Sequence, residues 1–480
     1  MTADWLSRET AAAADSVDDA GSIIREYRLA SGQNQVAVAN AVGMTQQHLS
    51  QIEKGQRPVS IEQRRKFSEV LNIPLENLGL SARGPRPAVA SDDASPAIAA
   101  SRGRWRAQRR WLNQHRSDLA KLAVDLYPAE HRVPRTPLIA APGWIPAGPV
   151  PLRSVQLGLD ENRQTMAVSG KEPETEPVRP LRAEGARFDC YTSAIKHLDP
   201  PTLFESRPSY RLLDVSPAAG TLNFGLAAYF DKLDVSEALG HEMAIACMAG
   251  DMPAAADQLR GRLPFRDLVD DPFDPQRRAI IPAITTLTIR LRRHPEPPSF
   301  LLHWRDPAKV ATAGGIYDVI PAGEFQPSSV ALWDRANDFD LWRNMVREYS
   351  EELLGAPEHD GTRTVPIDYE NWSLYQELER AQTDGAVVPW LLGIGLDALT
   401  LAATILTVVV IDDDEFESVF GRAVRFNEEG EIVGIGDGRA AEGIPFTEEC
   451  VDRMLSSEPM ASPGAACLSL AWQHRDHLLT

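Results

Sequence analysis

Cysteine is scarce. Cys190, Cys247, Cys450 and Cys467 are the only four in 480 residues. None forms a CxxC pair, so the spacing supports neither a disulfide framework nor a zinc knuckle. Basic charge is in deficit too: 49 Lys and Arg stand against 68 Asp and Glu, a formal net charge of −19. Spread evenly, that charge would repel nucleic acid and favour solubility. Long apolar runs are rare. Residues 387–411 form one long enough to span a bilayer. Asp397 sits near its middle, Pro389, Gly393 and Gly395 interrupt it, and acids flank its end. It reads as a buried helix followed by a core strand at 405–411. Residues 1–19 are polar and acidic, unlike a secretory leader. No membrane association and a cytoplasmic location are expected. His241-Glu242 begins an HExxH zinc pattern, but Ile245 holds the second histidine's place. His241 is therefore expected to be an ordinary surface or core histidine.

The charge is not spread evenly. Residues 19–82 are near neutral, with Arg25, Arg28, Lys54, Arg57, Arg64, Arg65 and Lys66 offsetting the acids. The acids gather towards the end, as in Asp412-Asp413-Asp414-Glu415. Exposed charges beyond about 10 Å are screened, so local sign decides the partner.

Residues 44–55 organise the near-neutral segment. Thr45 suits a helix N-cap, because its hydroxyl can accept a backbone N–H that the helix leaves unpaired. Leu49 and Ile52 share one face. Gln46, Gln47 and Gln51 fall largely on another, and Gly55 suits the helix end. A glutamine amide has a donor and an acceptor and can pair with adenine N6 and N7 in the major groove. Upstream, Ile23, Ile24, Tyr27 and Leu29 have helical spacing. A second helix is expected at 35–42, with Val36, Ala39 and Val42 on one face, and Gly43 makes the turn. Further helices at 61–71 and 75–78 would complete a five-helix bundle. Two short helices, a glycine turn and a polar recognition helix make a helix-turn-helix. A small helical bundle that binds protein is the alternative.

Residues 20–80 resemble the helix-turn-helix domain of the lambdoid phage repressors and xenobiotic-response-element-type regulators. Asn34-Gln35, Gly43, Thr45-Gln46-Gln47, Gln51, Glu53 and Gly55 carry the resemblance. It implies that Gln46, Gln47 and Gln51 touch base edges and that Gln35 holds a phosphate. Thr45, Lys54 and Arg57 complete the expected DNA-binding set. It also implies that Arg28 pairs with Glu53 inside the domain.

The expected organisation is a tail at 1–18, the DNA-binding domain at 19–82 and a linker at 83–103 rich in Pro, Ala, Ser and Gly. A middle region of no evident chemistry follows at 104–280, then a C-terminal domain at 281–480. Residues 104–127 read as a helix. Arg102, Arg104, Arg106, Arg109, Arg110 and Arg116 crowd its first half, either to contact phosphate or to pair with the acidic half of the chain.

A second constellation lies at 314–323 and 347–355. Residues 341–354 read as a helix with Leu341, Met345, Tyr349 and Leu353 as its apolar stripe. Glu348, Glu351 and Glu352 fall at i, i+3 and i+4 and would share a face. Such carboxylates suit Mg²⁺ or Mn²⁺. The segment resembles a divergent Nudix box, through Gly323 and Arg347-Glu348-Tyr349-Ser350-Glu351-Glu352. The gap from Gly323 to Arg347 is longer than the family's, Phe339 stands where its first glutamate would, and Leu354 is an extra residue. An acidic helix without chemistry is the alternative. The resemblance implies Glu348, Glu351 and Glu352 as metal ligands and, in an active enzyme, Glu351 and Glu352 as catalytic groups.

The expected fold is multidomain: an all-α five-helix helix-turn-helix domain, then an α+β region with a Nudix-like mixed sheet. The expected function is a sequence-specific DNA-binding transcriptional regulator that senses a nucleotide-derived ligand and binds double-stranded DNA as a homodimer. The alternative is a metal-dependent pyrophosphohydrolase carrying a DNA-binding module.

Overall fold

The computed structural model describes residues 20–30, 33–54, 59, 61–71, 73, 95–162, 165–201, 204–248, 253, 255–292, 295–305, 316–356, 365–421, 430–433 and 443–480. The chain forms two compact units, Met1–Asp93 and Ala94–Thr480.

Among the described residues of the first unit, four helices enclose one small core: α1 (Ala20–Ala30), α2 (Gln35–Val42), α3 (Gln46–Glu53) and α4 (Ile61–Leu71). Asn34 caps α2, its Oδ1 accepting the Ala37 N–H at 2.8 Å. Gly43 ends it at φ +82°, a conformation that costs a residue with a Cβ more. Val38, Ala39 and Val42 face the core, whereas Val36, expected inside, is 52% exposed. The helix expected at 75–78, and Gly55, lie outside the described residues.

In the second unit one apolar core runs from Trp105 to Leu478. The boundary expected near 280 is therefore absent. The Leu212 N–H donates to the Ile280 carbonyl at 2.8 Å and the Tyr210 N–H to that of Phe325 at 3.2 Å. The linker expected up to 103 also ends early, because α5 spans Pro96–Gln114. Proline is pre-set for a first helical turn, and Ala97, Ala99 and Ala100 favour its continuation. α6 (Arg116–Val124) follows, then α7 (Tyr191–Leu198), α8 (Tyr229–Met248), α9 (Pro264–Val269), α10 (Leu341–Glu348) and α11 (Ser462–Gln473).

The main sheet has eight strands: β1 (Leu138–Ile139), β2 (Val150–Pro151), β3 (Pro282–Leu291), β4 (Ser299–Phe300), β5 (Ala322–Glu324), β6 (Val387–Asp397), β7 (Ala403–Asp412) and β8 (Ile444–Pro445). Its order is β1-β6-β7-β3-β4-β8, with β2 on β6 and β5 on β3. β6 and β7 are antiparallel, with a bulge between Leu391 and Gly393, and β7 runs parallel to β3. Residues 387–411 are thus a hairpin: the strand expected at 405–411 is present within β7, whereas the segment expected to be a helix is the strand β6. Both strands are almost wholly buried, which removes the period-two signal that would mark them as strands. α11 packs on the sheet, where the Cys467 thiol donates to the Thr285 carbonyl at 3.3 Å. Among the described residues no helix is long and apolar enough to cross a membrane.

Candidate nucleic-acid interface

The interface begins with an ion pair under α3. Arg28 and Glu53 are 8% and 5% exposed. Arg28 Nε donates to Glu53 Oε1 at 2.5 Å and Nη2 to Oε2 at 2.8 Å. Burial works to raise the Glu53 pKa. The bonds from Arg28 and Gln35 outweigh it and hold the carboxyl below its ordinary value.

A chain of amides leads from this pair to the surface. Gln35 Nε2 donates to Glu53 Oε2 at 2.8 Å. Gln46 Nε2 donates to Gln35 Oε1 at 3.0 Å. Gln46 is exposed at the start of α3. Its bond to Gln35 uses one amide hydrogen, leaving the other and the Oε1 lone pairs. Those are the groups a bidentate contact with adenine needs. Gln47 is exposed beside it, Gln51 is half-buried, and Lys54 is exposed just past the helix. Thr45 Oγ1 accepts the His48 N–H at 3.2 Å, so this hydroxyl caps α3. Arg57 lies outside the described residues. The Gln35 bridge to Glu53 has no local signal, because it joins residues 18 apart.

The arginines of α5 and α6 mostly face inwards. Arg102 donates to the carbonyls of Leu181 (3.2 Å) and Arg182 (2.8 Å), and Arg106 to that of Leu198 (3.3 Å). Arg109 and Arg116 both pair with Glu237 of α8, at 3.0 and 3.2 Å. Arg104 and Arg110 are exposed. Replacing both by glutamine is expected to leave the slope of log K against log salt for DNA binding unchanged. A fall of about 0.9 per residue would make them phosphate contacts. His241 is a core histidine, bonded to Tyr191 Oη at 2.8 Å and Gln108 Oε1 at 3.1 Å. Burial lowers its pKa to about 3, so it is neutral.

The glutamates expected to hold a metal lie along a helix whose winding changes part-way. After Glu348 the helix changes from α to one π turn at Tyr349–Leu353. The longer turn displaces Glu351 and Glu352 from the i+3 and i+4 positions of an α-helix. Glu348 lies over Gly323: a Cβ there would fall 2.1 Å from its Cδ. Glu352 Oε1 accepts the Ala322 N–H at 3.3 Å. Arg347 is buried and pairs with Asp338 at 3.2 Å. Among the described residues no group of three or more His, Cys, Asp or Glu side chains is placed to hold a metal ion.

Residues 24–78 match the family described as Helix-turn-helix. The match takes in most of α1 and all of α2, α3 and α4. The chain therefore carries a helix-turn-helix DNA-binding segment ahead of a region with a mixed sheet. Comparison with curated proteins and with solved structures gives no match.

Proposed function

We propose that a chain with this segment is a sequence-specific transcriptional regulator that reads operator DNA with α3. The observation that carries the proposal is the Gln46 amide. It is held from behind by Gln35 and, through it, by the Arg28–Glu53 pair, and it keeps the donor and acceptor that a base edge requires. Positioning a side chain through a buried partner lowers the entropy cost of binding. α3 has only eight residues and reaches few base pairs, so two copies on a two-fold site are expected. The Ala94–Thr480 unit acts as the sensor: a small molecule that binds two states of the chain unequally shifts operator affinity. The placement of Glu348, Glu351 and Glu352 favours neither a nucleotide-derived ligand nor pyrophosphate hydrolysis.

The test uses an operator selected from random duplex DNA by the purified chain, at one salt concentration. Gln46→Ala with Gln47→Ala is expected to cost about 1–3 kcal/mol for each base edge that a glutamine reads, while binding to unrelated DNA stays the same. Unchanged operator affinity would remove α3 as the reading helix.

A further inference from the structure

A cleft of about 740 Å³ opens in the Ala94–Thr480 unit. Its walls are residues 125–128 after α6, the turn Ala256–Leu259, α9 with the loop after it, and Leu401 at the tip of the β6–β7 hairpin. Small-molecule sites have volumes of about 300–1,000 Å³.

The cleft is braced from behind. Arg266 Nη1 donates to Tyr127 Oη at 2.6 Å and to the Ala398 carbonyl at 3.0 Å, and Nη2 donates to the Leu399 carbonyl. One buried guanidinium thus ties three walls together. Glu242 of α8 accepts the N–H groups of Phe265 (2.6 Å) and Arg266 (3.0 Å) at the start of α9. Two walls also hold non-glycine backbone at positive φ, at Asp270 (φ +61°) and Leu401 (φ +58°). Arg135 is the one other such residue among those described. Each such conformation costs on the order of 1–3 kcal/mol, and they gather at ligand sites.

The lining favours one sign of charge. Asp125, Asp257, Asp267, Asp270 and Asp271 line the cleft against Arg260 and Arg266. Arg266 is engaged by carbonyls and a phenol, and Asp125 is paired with Arg132 at 2.5 Å. The remaining four aspartates outnumber Arg260. Phe273 also lines the cleft, its ring 5.1 Å from that of His131 and 5.4 Å from that of Trp144. Leu259 and Leu263 form its floor as buried core residues. An anion would be repelled here. A cation gains from the carboxylates and from the face of an aromatic ring within about 6 Å.

We propose that this cleft binds an organic cation, with an ammonium group among Asp257, Asp267 and Asp270 and an apolar body against Phe273. The proposal names the ligand class for the sensing role above and rests on that role only for its effect on DNA.

Calorimetric titration of the full chain tests it with three probes of similar shape: benzyltrimethylammonium, benzyl alcohol and benzyl phosphate. Saturable binding of the cation alone is expected. Asp267→Asn with Asp270→Asn is expected to weaken it at least tenfold. Asp270→Gly relieves the positive-φ backbone and removes a carboxylate, so it is expected to fold at least as stably and to bind more weakly. No saturable binding of the cation, equal binding of the three probes, or full affinity in folded variants would overturn the proposal. Cation binding that leaves operator affinity unchanged keeps the cleft and removes the coupling. Operator binding that responds to some other ligand, with no uptake of the cation, removes the cleft and keeps the regulator.

Discussion

Glu53→Ala is expected to destabilise the helix-turn-helix unit by about 3–5 kcal/mol, because it leaves the Arg28 guanidinium buried without its carboxylate. Small domains are stable by about 5–15 kcal/mol, so this removes a large part of the margin. The same change takes the acceptor from Gln35 Nε2 and loosens the support of Gln46. Arg28→Met with Glu53→Leu separates the two effects. Replacing a buried ion pair by apolar groups of similar volume is often neutral for stability. The double variant should therefore unfold close to the wild-type urea midpoint and still bind operator more weakly. A double variant as unstable as Glu53→Ala would mean that something other than the stranded charge sets the cost. The pair also gives a pH dependence. Glu53 has a folded pKa below its unfolded value of about 4.3. Its stabilisation is complete above the unfolded value and is lost as the pH falls through the folded one. Acid titration of the unit, followed by circular dichroism, should show a loss that the double variant lacks.

Asp338→Ala is expected to cost the Ala94–Thr480 unit a similar 3–5 kcal/mol, roughly. Asp338 is fully buried. Its carboxylate accepts the Ser328 N–H at 2.7 Å and the Tyr369 hydroxyl at 2.8 Å, and pairs with Arg347. The alanine strands a buried cation together with the buried Tyr369 hydroxyl and the half-buried Ser328 N–H. Glu351→Gln with Glu352→Gln should cost much less, because both side chains are only half-buried. Urea unfolding of the three proteins decides this. A larger loss in the glutamate variant than in Asp338→Ala would show that the acidic turn, not the Arg347 pair, organises this part of the core.

That contrast also shows how far local pattern reaches. Arg347 and its glutamates looked like one chemical motif because they are adjacent in sequence. In the fold Arg347 turns inwards to Asp338, while Glu348 and Glu352 turn onto Gly323 and the Ala322 N–H. The chain winds as a π turn from Tyr349, and nothing in the apolar spacing of Leu341, Met345, Tyr349 and Leu353 announces it. The same limit applied to residues 387–397, where burial of both faces hid the first strand of the hairpin. It also applied to Arg109 and Arg116, whose partner Glu237 is more than a hundred residues away.

What the sequence determined by itself is the helix-turn-helix. Its signals are short-range: the caps at Asn34 and Thr45 act three residues on, Gly43 acts at its own φ, and the apolar stripes act within a turn or two. Each lowers the free energy of one local conformation, so each is legible without the rest of the chain. Tertiary structure alone decided which arginines are buried, where the glutamates point and that a cleft exists. Those outcomes depend on pairs distant in sequence, such as Arg266 with Ala398 and Leu399. Such pairs meet only after the shared core has collapsed, and no local preference encodes them.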